Sequence, residues 1–317
     1  MRKHVLTLSR LLAVFCLVPL FLQTGLAQAK TVKLAYIPIG DCLQLYVAED
    51  KGFFAQEGLE VAPMAMKGGA VIAPAVEAGE AQIGWSNAVS IIIAHAKGFD
   101  FAFLTSGAIS QEGGHRVHSL MIAADSPMTS VKDLAGKTVA INTLGNINEL
   151  SLRALAEAEG LDVASVKLVE APFPNMEAAL KNGSVDAYIA VEPFVTVAKS
   201  HNTAKALVES AHKSFGERFM IGSWFAKKSW VKDNPDTAAA FARAIDKASV
   251  FIRDNPEAAR EILSANTKLA PELAEKIALP AFDPKLDPAD VQPLVDACAK
   301  YGLIPAVFPA ADVIAAP

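Results

Sequence analysis

Polar side chains that could bind a small molecule follow several apolar runs of this chain, at the point where each run gives way to a turn. One set follows residues 32–37, and another is the run Trp-Ser-Asn at residues 85–87. Two more sets occur at residues 145–149 and residues 192–194. Open α/β sheets bind ligands at the carboxyl ends of their strands. The pattern therefore predicts a small-molecule site built from several turns.

The candidates in the first part of the chain each have two interpretations. Residues 40–42 begin a predicted helix, where Asp41 either contacts a solute or caps the helix. Trp85 could cover a planar or methyl-bearing solute while the following Ser and Asn hydrogen-bond it. The alternative for this trio is core packing plus a helix N-cap. Both alternatives stay open from the sequence.

The candidates in the later part of the chain also have two interpretations. Residues 145–149 open a second helix, and Glu192 either binds an amino group or satisfies donors of its own turn. Trp224, near a predicted return crossing, could line the site or pack at a hinge. The candidate ligand-binding residues are Gly40, Asp41, Cys42, Trp85, Ser86, Asn87, Gly145, Asn146, Asn148, Glu149, Glu192, Phe194, Ser223 and Trp224.

The chemistry of these candidates favours an organic solute. Helix N-termini attract oxyanions such as a sulfonate, whereas the three acidic candidates, Asp41, Glu149 and Glu192, suit an amine or aminopyrimidine. With aromatic candidates also present, we expect a small planar or zwitterionic solute. His115 and His118 have a spacing that suggests a metal, but no third ligand is near them. We therefore expect no metal and no cofactor.

The elements that position these residues alternate between strand and helix. Residues 32–104 predict four strands with helices between them, and residues 106–115 predict a flexible connector. A second α/β unit is expected from residue 118, with a helix over residues 147–159 that stops at Gly160. Residues 219–226 are expected to form a strand that crosses back to the first unit. The remaining helices are expected on the outside of the first unit, without ligand contacts. Such alternation predicts parallel sheets covered by helices.

The first 29 residues have the pattern of a secretory signal peptide. Basic residues precede an apolar run at residues 11–22, and Ala-Gln-Ala at 27–29 is a small-x-small cleavage site. We expect cleavage before Lys30 and a secreted mature chain. Cleavage removes three basic and no acidic residues, so the formal charge goes from −5 to −8. This charge argues against nucleic acid or anionic membranes as partners.

Two further features bear on the class of protein. Only Cys42 and Cys298 remain after cleavage, and because the chain is long enough to bury its own core, we expect both to be unpaired. The sequence contains no Gly-x-Ser-x-Gly elbow, no His-Glu-x-x-His and no Walker loop. These absences favour a binding protein over an enzyme.

Several runs resemble the nitrate/sulfonate/taurine family of periplasmic solute-binding proteins, whose superfamily also holds thiamine-precursor binders. The runs are VAEDKGFF at 47–54, EGLEV at 57–61, EAGEAQIG at 77–84 and VKDLAGKTVA at 131–140. VDAY at 185–188, followed by EPF at 192–194, is similar to the family's segment at the edge of the second lobe's cleft. Each run alone is a weak indicator of the family, whereas the order and spacing of the runs together are specific to it.

The resemblance implies an α/β, type II-like periplasmic binding protein with two lobes and two crossing segments, each lobe a mostly parallel sheet covered by helices. Lobe 1 is expected to contain residues 30–115 and 222–317, and lobe 2 residues 116–221. The implied partners are a small solute and an inner-membrane ABC permease with its ATPase, and the implied state is a monomer. A solute-loaded partner of a membrane sensor remains an alternative. A thiamine-pyrimidine synthase is disfavoured because its cysteine-rich signature is absent.

Overall fold

The computed structural model describes residues 29–111, 117–267 and 269–315. The predicted signal peptide, except residue 29, and His115 lie outside this part of the chain. The strands are β1 (Lys30–Tyr36), β2 (Leu59–Ala65), β3 (Ile83–Asn87), β4 (Phe101–Phe103), β5 (Ala108–Ser110), β6 (His118–Ala123), β7 (Thr138–Ile141), β8 (Lys167–Glu170), β9 (Ala187–Val191), β10 (Ala204–Val208), β11 (Phe219–Lys227) and β12 (Ala281–Phe282). The α-helices are α1 (Leu43–Asp50), α2 (Phe53–Gln56), α3 (Gly69–Glu77), α4 (Ala88–Ala96), α5 (Ile147–Glu159), α6 (Phe173–Lys181), α7 (Phe194–Ser200), α8 (Lys228–Asp233), α9 (Pro235–Asp254), α10 (Pro256–Thr267), α11 (Pro271–Ala274) and α12 (Pro288–Lys300).

The strands form two sheets. The first has seven strands in the order β12-β5-β11-β3-β1-β2, with β4 also paired to β11, and the second has the order β10-β6-β9-β7-β8. We call the first sheet with its helices the first lobe and the second sheet with its helices the second lobe. The chain passes between them twice, from β5 to β6 and from β10 to β11. The α/β class with two helix-covered sheets is confirmed.

Strand direction departs from the expectation of mostly parallel sheets. Strands β1, β2 and β3 are parallel, as are β7, β8 and β9, but β11 runs antiparallel to β3, and β6 antiparallel to β9. The reason is topological, because β6 and β11 each arrive from the other lobe instead of through a strand–helix–strand crossover. The predicted connector also contains β5, and β11 begins at Phe219, before the predicted return at residue 222. The lobe boundaries proposed from the sequence stay a prediction.

Local signals explain the bounds of α5. It spans Ile147–Glu159 as expected, with Asn146 at its N-cap and Gly160 following it at a left-handed φ of 72°. Glycine adopts this conformation without steric cost, so it ends helices well. The helix start and stop therefore follow from residues adjacent in sequence.

The C-terminal helices pack outside the first lobe, as predicted. In α9, residues at helical spacing are buried, including Phe241, Ile245 and Ile252. Phe241 stacks on Phe54 of α2, with ring centroids 5.6 Å apart. Within the ranges that the structure describes, no helix has both the length and the apolar character to cross a membrane.

Candidate functional site

A cavity of about 20 Å³ lies between the two lobes. A space of this size holds about one water molecule, so the lobes are closed on each other in this structure. The first lobe lines it with Ile37, Ile39, Asp41, Trp85, Asn87 and Ile221, and the second lobe with His118, Asn142, Asn146, Ile147, Asn148, Phe173 and Val191. Because both lobes contribute, opening the lobes would dismantle the cavity.

Hydrogen bonds between the lobes surround this cavity. The Ile147 amide N–H donates to Asn87 Oδ1 (3.1 Å), and Ser90 Oγ donates to the Gly145 carbonyl (3.0 Å). The Gly40 amide N–H donates to the Glu192 carbonyl (2.8 Å), and His118 Nε2 lies 2.9 Å from Asp41 Oδ2. Backbone groups take part in three of these four contacts. The closed arrangement is thus specified by polar groups at defined positions as well as by apolar contact.

Asn87 joins the two lobes by capping two helices at once. Its Oδ1 accepts the amide N–H of Ser90 at 3.0 Å, which caps α4, and also accepts the N–H of Ile147, at the start of α5 in the other lobe. Its Nδ2 donates to Ser90 Oγ at 3.0 Å. The N-cap expected from the sequence is present, and the same side chain couples the lobes.

Asp41 and His118 form a buried pair across the cleft. A carboxylate oxygen only accepts hydrogen bonds, so His118 Nε2 donates to it. The other side of the His118 ring packs on His212, with centroids 4.5 Å apart, and His212 Nδ1 lies 2.5 Å from Ser151 Oγ. Burial, with a smaller effect from His118, lowers the pKa of His212 well below its ordinary value. His212 is therefore neutral in the folded protein near neutral pH.

Three asparagines form a network whose orientation is set by the backbone. Asn146 Oδ1 accepts the amide N–H groups of Asn148 and Glu149, so its Nδ2 is the group that faces Asn142, 2.6 Å from Asn142 Oδ1. Asn148 Nδ2 donates to the same Asn142 oxygen at 3.0 Å. Because each amide has one oxygen and one nitrogen, Asn148 must present its Oδ1 elsewhere.

Three buried polar atoms on the cavity residues lack a hydrogen-bond partner within the described part of the chain. They are Asp41 Oδ1, Trp85 Nε1 and Asn148 Oδ1. A buried polar atom left unpaired costs about 1–3 kcal/mol, and more when it is charged. Their concentration in one cavity indicates a place where a bound molecule supplies the missing partners.

Five of the residues proposed from the sequence line this cavity: Asp41, Trp85, Asn87, Asn146 and Asn148. They come from three separate segments of the chain, but Trp85 and Asn87 lie within β3 and not in a turn after it, because β3 pairs with β11 as far as Asn87. The structure thus brings together residues that are more than a hundred positions apart in sequence. Whether they bind a solute stays a prediction.

Three further candidates lie beside the cavity. Gly40 and Gly145 contribute backbone groups to the contacts between the lobes. Phe194 stacks on Phe173, a cavity residue, with centroids 5.9 Å apart. These residues support the walls of the cavity.

The remaining polar candidates are occupied by their own surroundings. Glu149 accepts the Gly145 amide N–H at 2.8 Å and pairs with Arg153. Glu192 accepts from the backbone N–H and the hydroxyl of Thr196, and burial raises the pKa of its carboxyl group. Both carboxyl groups therefore accept hydrogen bonds from neighbouring groups in the chain, which is the alternative stated for Glu192. Similarly, the Ser86 hydroxyl donates to the carbonyl of the next residue.

The structure places Cys42, Ser223 and Trp224 in the core of the first lobe, away from the cavity lining. Trp224 Nε1 donates to Gln44 Oε1 at 3.0 Å, and Ser223 Oγ donates to the Thr105 carbonyl at 2.6 Å. The chain returns from the second lobe before β11 begins at Phe219, so residues 223 and 224 lie within a central strand and not at a hinge. Cys42 is fully buried, which raises the pKa of its thiol, and both Cys42 and Cys298 are unpaired.

Sequence reasoning missed His118 and Phe173 as cavity residues. Asn142 directly follows β7, the same strand-end signal that identified other candidates. His118 was considered only for a metal, and its partner Asp41 is 77 positions away. Within residues 29–111, 117–267 and 269–315, no group of three or more His, Cys, Asp or Glu side chains is placed to hold a metal ion.

Comparison with solved structures identifies the class of fold. The chain superposes on the alkanesulfonate-binding protein SsuA from Xanthomonas axonopodis pv. citri bound to MOPS with a TM-score of 0.77 and 16% identity, over 91% of this chain and 99% of that one. The desulfurization enzyme DSZB is also similar, with a TM-score of 0.64 and 18% identity over 91% and 96% of the two chains. The protein therefore has the α/β fold of periplasmic binding proteins, a fold that also occurs in an enzyme.

The family follows from the sequence comparison. Residues 40–259 match the model of the NMT1/THI5 like family, so this chain belongs to that family. The family resemblance predicted from the sequence is thereby confirmed. The match covers predicted lobe 2, residues 40–115 and 222–259 of predicted lobe 1, and all five cavity residues proposed from the sequence.

Curated relatives differ in what they bind or make. A putative aliphatic sulfonates-binding protein of Bacillus subtilis (strain 168) is 23% identical over 74% of this chain and 69% of its own. A formylaminopyrimidine-binding protein of Halalkalibacterium halodurans is 26% identical over 70% and 66% of the chains. A 4-amino-5-hydroxymethyl-2-methylpyrimidine phosphate synthase of Uromyces fabae is 24% identical over 64% and 60%. The chain thus spans roughly two thirds of the length of these relatives.

Proposed function

We propose that this protein is an extracytoplasmic solute-binding protein that delivers a small organic solute to an ABC importer. It acts without catalysis, as a periplasmic monomer released from a signal peptide at residues 1–29. The observation that carries the proposal is the cavity between the lobes, whose walls come from both sheets. A solute that contacts both walls favours the closed state by its differential affinity for it.

The candidate solutes are sulfonates and planar or aminated aromatic compounds, including pyrimidines. The cavity as it stands holds about one water molecule, so solute entry requires the lobes to separate and close again around a larger volume. The permease and ATPase of the importer are the proposed partners. Support comes from the family membership and from relatives whose names describe binding of sulfonates and formylaminopyrimidine.

A thermal-shift screen of the purified protein tests this function. The panel contains sulfonates, nitrate, aromatic acids, aminopyrimidines and amino acids. A solute at 100 times its Kd adds about 2.7 kcal/mol to the free energy of unfolding, which raises the melting temperature measurably. If no compound of any class raises it, the solute-binding function is refuted.

A genetic experiment separates transport from sensing. Once a solute is found, deletion of the importer genes should abolish its uptake by cells that contain this protein. Unchanged uptake after the deletion would instead favour a solute-loaded partner of a membrane sensor. Both outcomes leave solute binding itself intact.

A further inference from the structure

Two buried glycines of the first lobe lie directly against the second lobe. The Gly40 amide N–H donates to the Glu192 carbonyl at 2.8 Å, so the two backbones meet without a side chain between them. Gly68, at the N-cap of α3, lies against Asn142 and Thr143, which follow β7. The first lobe therefore approaches the second through bare backbone at two separate points.

A side chain at either position would collide with the second lobe. A Cβ on Gly68 would lie 2.9 Å from Thr143 Cγ2 and 3.1 Å from Asn142 Nδ2. A Cβ on Gly40 would lie 3.3 Å from the Glu192 carbonyl oxygen. Carbon atoms in contact prefer separations of about 3.5–4.0 Å. The collision at residue 68 is thus the more severe of the two.

Backbone conformation does not require glycine at these positions. The φ of Gly68 is 174°, an extended value that any residue adopts. Gly40 also lies outside the left-handed region, unlike Gly145, whose φ is 64°. What glycine provides at residues 40 and 68 is therefore space for the opposite lobe.

Other crowded glycines serve the packing of a single lobe. A Cβ on Gly84, for example, would meet Ile72 and Phe225, which belong to the same lobe. Among the glycines in the described part of the chain, Gly40 and Gly68 are the two whose Cβ would be crowded by the opposite lobe. The two positions thus share a property that relates to closure.

The surface that faces Gly68 is held in place within the second lobe. Asn146 Nδ2 donates to Thr143 Oγ1 at 3.3 Å, and the next amide N–H, that of Leu144, donates to a carboxylate oxygen of Glu170 at 2.6 Å. Turning the Thr143 methyl group away would disturb these contacts. A collision at residue 68 is therefore relieved by separation of the lobes.

The closed arrangement holds through contacts between the lobes themselves. The cavity of about 20 Å³ has room for about one water molecule, so this closed state is too tight for a larger solute. We propose that Gly40 and Gly68 are positioning residues that set the closest approach of the lobes and allow the free protein to close on itself. A side chain at either position acts as a spacer that opens the cleft. The inference goes beyond solute delivery, because it describes a closed state of the free protein.

Amide hydrogen exchange of the purified protein, followed by NMR without added solute, tests this inference. The Ile147 amide N–H donates across the cleft, so it should exchange only after the lobes separate. Gly68→Ala should speed its exchange roughly 5- to 150-fold, the effect of overpacking a close contact. Gly40→Ala should have a smaller effect, because its closest contact is longer. Amides that bond between β7 and β8, within the second sheet, should keep their original rates.

Removing the opposing methyl group separates a spacer effect from local damage. Gly68→Ala also weakens the start of α3, because alanine is a poorer N-cap than glycine. Thr143→Ser removes Cγ2 but keeps the hydroxyl that Asn146 contacts. Added to Gly68→Ala, it should slow exchange at Ile147 by at least about twofold, the coupling expected for two residues in contact. Thr143→Ser alone is the control and should leave this amide close to its original rate.

Three results would overturn the inference. The first is exchange at Ile147 that Gly68→Ala does not change. The second is equally fast exchange of the Gly68→Ala protein with and without Thr143→Ser, because the effect would then be local to α3. The third is an Ile147 amide that is unprotected in the original protein, since the free protein would then be open. Because no solute is used, each of these results leaves the proposed solute-binding function standing.

Discussion

Replacing Asn87 with serine separates the two roles of this side chain. Serine is as good an N-cap as asparagine, so α4 should keep its cap at Ser90. The shorter side chain cannot also reach the Ile147 amide N–H in the other lobe, which Asn87 Oδ1 accepts at 3.1 Å. The substitution therefore removes a contact between the lobes while preserving the local helix start.

The expected magnitude follows from the burial of that amide group. In the closed state the Ile147 N–H would be unpaired, at a cost of about 1–3 kcal/mol, whereas in an open state it would meet water. The equilibrium constant for closure should fall by roughly 5- to 150-fold. If the solute binds tightly only to the closed state, and the substitution makes the open state the more populated one, the apparent Kd for solute rises by up to the same factor.

Small-angle X-ray scattering of the free protein measures the opening, and calorimetry with the solute measures affinity. Asp287→Ser is the matched control, because Asp287 also caps a helix, α12, through the Ala289 amide N–H but at an exposed position away from the cleft. We expect a larger radius of gyration only for Asn87→Ser. If both variants scatter and bind like the original protein, Asn87 does not couple the lobes and our reasoning about closure is refuted.

Two other predictions concern stability. The pKa of His212 is well below its ordinary value of about 6.5, so the unfolded chain binds a proton that the folded chain does not, and stability is lost as pH falls below about 6.5. As pH falls, this group should lower the free energy of unfolding by up to about 1.4 kcal/mol per pH unit. Denaturant titrations at several pH values should show a smaller decline for His212→Asn. An identical pH dependence in the two proteins would contradict the role of His212. Gly222→Ala should destabilise the first lobe by about 1–3 kcal/mol, because its Cβ would lie 2.6 Å from the Ser86 carbonyl oxygen and 2.8 Å from Trp85 Cζ2. Unchanged melting temperature and solute affinity would show that the β3–β11 pairing absorbs the methyl group.

Elements with local signals were predictable from the sequence. The helix α5 was expected with its observed bounds because its capping asparagine and terminal glycine are adjacent to it. The C-terminal helices were likewise recognisable from their prolines and their helical spacing of apolar residues. Strand direction was less accessible, because it depends on which lobe the chain leaves before each strand.

In the candidate site, too, some features follow from the sequence and others only from the tertiary structure. Trp85 and Trp224 each follow or lie in an apolar run, and the sequence does not distinguish them. The strand order places one in the cavity and the other against Gln44 and Phe241 in the core. The pairing of Asp41 with His118 has no sequence signal, since it forms only when the two sheets face each other.

The sequence by itself determined the α/β class, the family and the turns from which the cavity is built, because these depend on periodicity and on residues close together in the chain. The tertiary structure decided which polar atoms remain unpaired, since a hydrogen bond between distant residues exists only after folding. Asp41, Trp85 and Asn148 are the candidates on the cavity lining that carry such an atom in the described part of the chain.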